Sequence, residues 1–414
     1  MTQRKRMTLE LTSMLNLSII YCFLRFGLVF TTRWRFFGLS LVVFLGAAVL
    51  LTYAYANKWY AGQFLQSNLL FLGLNIFCVF LIQHLTKTPS YTSVAAGYIN
   101  QLLVLFLLWG FYLYMQRLDI LQQRRLIGMY LLAIAVSAAY TFYVASVSDD
   151  LIIRNTAFGQ YDPRFRLAYG SFDFIYGLVV IYSALLIVLS QGWKRIRSLT
   201  RLALVLLLLL IASTVIISKY STAFVLILVF TILFVPKKTG FKVFWAILLI
   251  VFVFWAPQFL TRFIESIPFM PEITSSRIND LILSVSGRGS SAYITEEGQR
   301  LDRVFWSLKA FADNPLFGLF GENGTRPLGY HTEWIDQLAR YGIVTAIFNM
   351  GFWYATFKRM EITAKQSSIT HKCVVSTFII YFILGFLNPI SMVVTTAPLF
   401  ILCPFAENVF LNKD

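Results

Sequence analysis

One stretch of the chain, GYHTEWIDQLARYG (residues 329–342), sets an imidazole, His331, beside two carboxylates, Glu333 and Asp336. The whole chain has only three histidines. Imidazole titrates close to neutrality, so His331 is suited to take a proton from a hydroxyl as that hydroxyl attacks. Glu333 and Asp336 would then orient it or bind substrate hydroxyls. The competing reading is a capping or packing histidine, because Trp334, Ile335 and Leu338 follow at helical spacing. His84 and His371 have no such neighbours and read as incidental.

Upstream lies TEEGQRLDRVFWSLKAFADNPLFG (residues 295–318). Leu301, Val304, Phe305, Leu308 and Phe311 recur at helical spacing, Thr295 suits an N-cap, and Pro315 stops the helix. Arg300, Arg303 and Ser307 share a different face. The expectation is that the apolar stripe packs on the protein while the neighbouring face presents two guanidiniums. These match phosphate oxygens as an anion clamp. The alternative is a solvated face, with Glu296 and Arg300 in an exposed i,i+4 pair worth ~0.2–0.5 kcal/mol. Lys219 sits in ISKYST between two short apolar runs. It reads either as a snorkelling residue in a turn or as a cation held toward a phosphate at membrane level.

Other constellations carry less. Asp149 and Asp150 form a carboxylate pair with no third ligand near in sequence, so no metal site is expected, and no cofactor. The glycines of FGLFGENG (317–324) follow no strand and precede no Lys-Ser/Thr, which excludes a phosphate-binding loop. They read as a flexible loop leading to His331. Cys22, Cys78, Cys373 and Cys403 all fall in apolar stretches and read as core residues.

The elements that must position these groups are membrane helices. The 414 residues are 58% hydrophobic and 13% charged, with mean hydropathy +0.70. Soluble domains are near half apolar and a quarter charged. The apolar runs have the length a helix needs to cross ~30 Å of hydrocarbon. Alternating segments of a membrane barrel are absent from the sequence. A net charge of +16 is explained by basic cytoplasmic loops rather than by nucleic acid.

The fold class is therefore all-α: a polytopic membrane protein of about twelve transmembrane helices with a long, helix-containing extracytoplasmic loop. Spans are expected near 11–30, 36–56, 68–85, 93–115, 126–146, 173–190, 201–218, 221–235, 243–259, 337–357, 373–390 and 394–411. The basic segments 116–125, 193–201, 236–242 and 357–366 are expected inside, with both termini. Four regions follow: N-terminal helices 1–145; central helices 146–259 with an outer loop at 146–171; an extracytoplasmic catalytic loop at 260–336; and C-terminal helices 337–414.

Together these pieces resemble the bacterial O-antigen ligase/polymerase superfamily, whose members act on undecaprenyl-diphosphate-linked glycans. RLDRVFWSLKAFADNPLFGLF is similar to the family's Arg-helix-NPLFG segment, and GYHTEWIDQLARYGI to its His-containing segment. ISKYST stands where a Ser-x-Arg type motif is usual. The resemblance covers residues from about 150 to 345. It implies that His331 is the essential histidine and Arg300 the loop arginine. Lys219 replaces an arginine, which removes the bidentate fork but keeps the charge. FGQYDPRFRLAYG resembles a family turn that contains Pro-Asn, with Arg164 as a further substrate-binding candidate.

The resemblance further implies a Wzy-type capsular or exopolysaccharide polymerase in the bacterial cytoplasmic membrane, with its site on the outer face. Its partners would be lipid-linked donor and acceptor glycans, the bilayer, a chain-length regulator and a flippase. The alternatives are an O-antigen ligase acting on lipid A-core and a lipid-linked oligosaccharide flippase.

Overall fold

A computed structural model describes residues 19–20, 22–24, 27, 35–36, 39–40, 67–86, 91–148, 153, 162, 164–165, 167–218, 220–234, 296–321, 332–388, 390 and 393–411. The fold is helical apart from a two-residue antiparallel ladder, β1 (Arg35–Phe36) with β2 (Leu39–Ser40). The helices are α1 (Ser67–Thr86), α2 (Tyr91–Met115), α3 (Ile120–Val147), α4 (Phe172–Gly192), α5 (Ser198–Ile217), α6 (Ser221–Phe234), α7 (Glu296–Asp313), α8 (Glu333–Ala364), α9 (Ser368–Leu387), α10 (Val393–Ile401) and α11 (Ala406–Phe410). Short 3-10 turns occupy Gly318–Gly321 and Cys403–Phe405.

Among the described residues four helices, α3, α4, α5 and α9, are long and apolar enough to cross a membrane. The expected spans at 68–85, 93–115 and 221–235 also fall on helices, α1, α2 and α6. Those at 11–30, 36–56 and 243–259 lie mostly or wholly outside the described residues, although Phe36, Leu39 and Ser40 belong to the ladder and not to a helix.

Three expected boundaries are corrected. The segment 116–125 is only partly a loop: Asp119 caps α3 by accepting from the Gln122 N–H at 2.8 Å, so Arg124 and Arg125 lie in its first turns. Residues 357–364 continue α8 instead of leaving it. The expected span 394–411 is α10, a 3-10 turn and α11 in series, with Pro398 and Pro404 withholding two backbone donors. The domain boundary expected at 336/337 falls inside α8, and that at 145/146 inside the last turn of α3.

α4 is the centre. It packs against α5, α6, α9 and α10, and nearly every one of its side chains is buried. An apolar helix without a polar face belongs inside a bundle. α8 lies against α1, α7 and α9, and α2 joins α1 to α10.

The bundle has two unlike ends. At one, the α2–α3, α4–α5 and α8–α9 connections meet the C-terminal segment. Arg124 donates to the carbonyls of Asn408 and Leu411 at 2.9 and 2.8 Å. Arg195 pairs with Glu407 at 2.9 Å, and Lys372 donates to Gln191 at 3.1 Å. The opposite end holds the start of α8 and two buried carboxylates.

Candidate functional site

The two motif-bearing segments, α7 with its proline stop and α8 with its acidic start, are stitched together. α8 is broken at Gly342, whose φ of 72° and ψ of 179° are closed to residues with a side chain. The break frees backbone donors at the start of the second half. Ile343 donates to the Pro315 carbonyl at 2.9 Å and Val344 to that of Leu316 at 3.4 Å. The NPLFG turn is itself closed by Gly318, at φ 62°, donating to the Asn314 carbonyl at 2.8 Å. A Cβ on Gly342 would stand 2.3 Å from the Leu316 oxygen, and one on Gly318 would stand 2.5 Å from the Arg340 carbonyl carbon. Both glycines are therefore required by close backbone approach as well as by conformation. The sequence reading of this stretch as a flexible loop is corrected for residues 318–321, which form a docked 3-10 turn.

A second stitch joins the side chains. Ser307 donates to Oδ1 of Asp336, and the Thr332 N–H donates to Oδ2 at 2.9 Å. Asp336 thus caps the first turn of α8 and ties α7 to it. The face of α7 that packs is the one carrying Ser307 and Ala310, both buried, with Arg303 half-buried. Phe305, Trp306 and Leu308 are exposed. The expected apolar face therefore packs only in part: Val304 and Phe311 are half-buried, while Phe305 and Leu308 are exposed. Small residues let two helices approach closely, and the buried Ser307 hydroxyl needs the partner that Asp336 supplies.

Glu333 is buried, 6% exposed, with both oxygens engaged. Gln337 Nε2 donates to Oε1, and the Ile390 N–H donates to Oε2 at 3.0 Å. Its charge also acts on Asp173, at the start of α4, and on the phenols of Tyr98 and Tyr381. Gln337 in turn accepts from Asn349 Nδ2 at 2.6 Å. These two residues are twelve apart, about 18 Å along an unbroken helix. Only the break at Gly342 brings them together.

Beside this polar chain lies a small cavity of about 20 Å³, room for a water, between α2, α8, α9 and α10. Gln101, Gln337, Asn349, Trp334, Trp353 and Tyr98 form much of its wall. Trp334 is fixed by donating to the Phe382 carbonyl at 2.8 Å, and Tyr98 accepts from Asn75 at 3.0 Å while stacking on Tyr341. None of Tyr98, Gln101, Gln337, Asn349 or Asp173 was singled out from sequence. The available signal was polar residues inside apolar helices, which mark function more often than packing.

The remaining expected site residues separate into two groups. His331, Lys219 and the Asp149–Asp150 pair lie outside the described residues, as does the side chain of Arg300, although Arg300 lies within α7. Arg164 is described and exposed. Its guanidinium donates to Asp162 at 2.8 Å, and that contact holds the Asp162 carboxyl below its ordinary range. Among the described residues no three His, Cys, Asp or Glu side chains cluster as metal ligands. No protein-family model matches the chain, and no curated protein is similar to it.

Proposed function

We propose that the protein is a polysaccharide polymerase that joins undecaprenyl-diphosphate-linked repeat units at the outer face of the bacterial cytoplasmic membrane. The observation that carries the reading is the interlock of α7 with α8. The two segments on which the family resemblance rests are bonded to each other by Ser307–Asp336 and by the Pro315 and Leu316 carbonyls. His331 directly precedes the capped start of α8 in the chain, and Arg300 lies one turn before Arg303.

In this reading about twelve helices span the bilayer. The end that gathers Arg124, Arg195 and Lys372 is cytoplasmic, since basic loops stay inside. The acidic end and the segment 260–336 face outward. The lipid-linked donor arrives activated, so no nucleotide site is required. His331 accepts the proton of the attacking sugar hydroxyl, while Arg300 and Lys219 stabilise the charge growing on the departing diphosphate. Attack opposite the leaving group inverts the anomeric carbon.

The test uses purified full-length protein with synthetic undecaprenyl-diphosphate repeat units. A ladder of lipid-linked multimers is expected, unaffected by EDTA, because charge neutralisation is assigned to side chains. His331→Ala should slow it by ~10²–10⁴ while lipid-substrate binding persists. Transfer only onto lipid A-core identifies a ligase. Glycan crossing proteoliposomes without bond formation identifies a flippase. An undiminished ladder from His331→Ala removes the histidine from the mechanism.

A further inference from the structure

The passage from α4 into α5, QGWKRIRSLTRLALV (residues 191–205), contains four cations and no carboxylate. The turn within it is held in place by its neighbours. Ile196 is buried and donates its N–H to the Gly192 carbonyl at 3.1 Å, and Arg195 pairs with Glu407 at 2.9 Å. A Cβ on Gly192 would stand 2.6 Å from Leu411, so the turn lies directly against the C-terminal segment. Arg201 reaches back to the Ile196 carbonyl at 3.0 Å and lies over the Trp193 ring, 4.6 Å from its centre. Stacking and one hydrogen bond orient the guanidinium while leaving donors open on its planar fork. Lys194 is exposed and has no hydrogen bond or ion pair to any described residue. Arg197, three residues on, is exposed as well.

Arg201 also heads an apolar row. Arg201, Val205 and Leu209 follow one another at i, i+4 and i+8 and so stand in line along α5. Val205 is half-buried, Leu209 is more than half exposed, and so are Leu202 and Leu206 beside them. α5 is long and apolar enough to cross a membrane, so these exposed leucines face acyl chains. Trp193, itself half-exposed, marks the level where tryptophan gathers, between hydrocarbon and water. Cations above an apolar row, with an indole at the boundary, complement a phosphate that carries acyl chains. A free phosphate would have no use for the leucines. A zwitterionic lipid would bring an ammonium against Lys194.

We propose that the α4–α5 connection and the first turns of α5 bind an anionic phospholipid, with Lys194 and Arg201 on its phosphate and an acyl chain along Val205 and Leu209. The site lies at the end of the bundle opposite Glu333 and Asp336. It rests on α5 spanning a membrane and not on the polymerase reading.

The experiment is native mass spectrometry on the full-length protein, delipidated in a non-ionic detergent and titrated with phosphatidylglycerol. Phosphatidylethanolamine tests the charge, and glycerol 3-phosphate tests whether a phosphate without chains suffices. Saturable binding of phosphatidylglycerol is expected, tighter than that of phosphatidylethanolamine, with no binding of glycerol 3-phosphate. Lys194→Gln and Arg201→Gln should each weaken it about three- to tenfold, the loss expected for one hydrogen bond. Lys194→Gln breaks no contact to a described residue, so it keeps the test usable if Arg201→Gln does not fold. Lys358→Gln removes an exposed cation from α8 at the same end and should leave binding unchanged. Equal affinity for the two lipids overturns the proposal, as does undiminished binding by Lys194→Gln. An equal loss in Lys358→Gln overturns it too, because the whole basic face would then attract lipid without a site. Glycerol 3-phosphate binding as tightly as the lipid would remove the acyl seat and the proposal with it. A multimer ladder from a protein that fails these tests would leave the polymerase reading standing.

Discussion

The two ends of the helix bundle handle charge in opposite ways. At the α7–α8 end two carboxylates are buried, and each of their oxygens has a protein donor: Ser307 and the Thr332 N–H for Asp336, Gln337 and the Ile390 N–H for Glu333. At the other end half-buried and exposed cations, Arg124, Arg195 and Lys372, donate to carbonyls and to one half-buried carboxylate. A buried charge must be fully satisfied, so its neighbours are fixed with it. A surface charge keeps water as an alternative partner. The first arrangement preorganises groups around a site, and the second tolerates change.

Breaking the preorganised end should have the largest effect. Gly342→Ala places a side chain in a backbone region closed to it, at ~1–3 kcal/mol, and drives a Cβ within 2.3 Å of the Leu316 oxygen. The NPLFG turn must then leave α8, and Gln337 loses reach of Asn349. Fluorescence-detected size-exclusion during a thermal ramp should show loss of the folded peak well below the wild-type temperature. A variant as stable as wild type would mean that the break in α8 is incidental.

Asp336→Asn comes next. Asparagine keeps a carbonyl for the Thr332 N–H and can turn its NH₂ to the Ser307 hydroxyl, which then accepts, so two charge-assisted bonds become neutral ones at about 1–2 kcal/mol. Ser307→Ala should cost less. The double variant should fall short of the sum by ~0.5–3 kcal/mol, because both changes cut the same link. Strict additivity in thermal unfolding would show that α7 is not anchored through this pair. If the anchoring also serves catalysis, Arg300→Ala should slow the ladder by ~10²–10³ without changing the unfolding temperature.

The sequence carried the helices better than their faces. α2, α4, α6 and the stop of α7 follow from apolar length and from Pro315. α7 was read by the rule for soluble proteins, that the apolar stripe faces the core. In this chain Phe305, Trp306 and Leu308 are exposed and Ser307 is buried. The cavity was hidden for a different reason. Gln337 and Asn349 are related only through a backbone break, and a single glycine in a helical pattern does not announce the angle it makes. The split of the last expected span into α10 and α11 had a visible cause in Pro398 and Pro404, which a hydropathy window averages away.

At the tolerant end, Arg124→Ala removes two bonds to carbonyls that hold the C-terminal segment, and about 1–2 kcal/mol is expected because the guanidinium is only half-buried. Arg124→Lys keeps the charge but cannot span the Asn408 and Leu411 carbonyls with one fork, so it should recover part of the loss. Full recovery by lysine would show that charge and not geometry is what this position supplies.

The smallest effect belongs to the Arg195–Glu407 pair. Its partners are 2.9 Å apart, but the arginine side chain is 46% exposed and the glutamate 22%. Two long side chains lose rotamer freedom to form one contact in high dielectric, and such pairs contribute ~0–1 kcal/mol. Arg195→Ala should therefore shift thermal unfolding by less than any substitution above, and raising salt should shrink even that difference, because exposed charges are screened over a Debye length of ~8–10 Å. Asp336→Asn, whose contacts are buried, should keep its penalty at the same salt. If the Arg195→Ala penalty matched that of Asp336→Asn and resisted salt, the contrast between a preorganised end and a tolerant one would fail, and both ends would have to be treated as parts of one rigid frame.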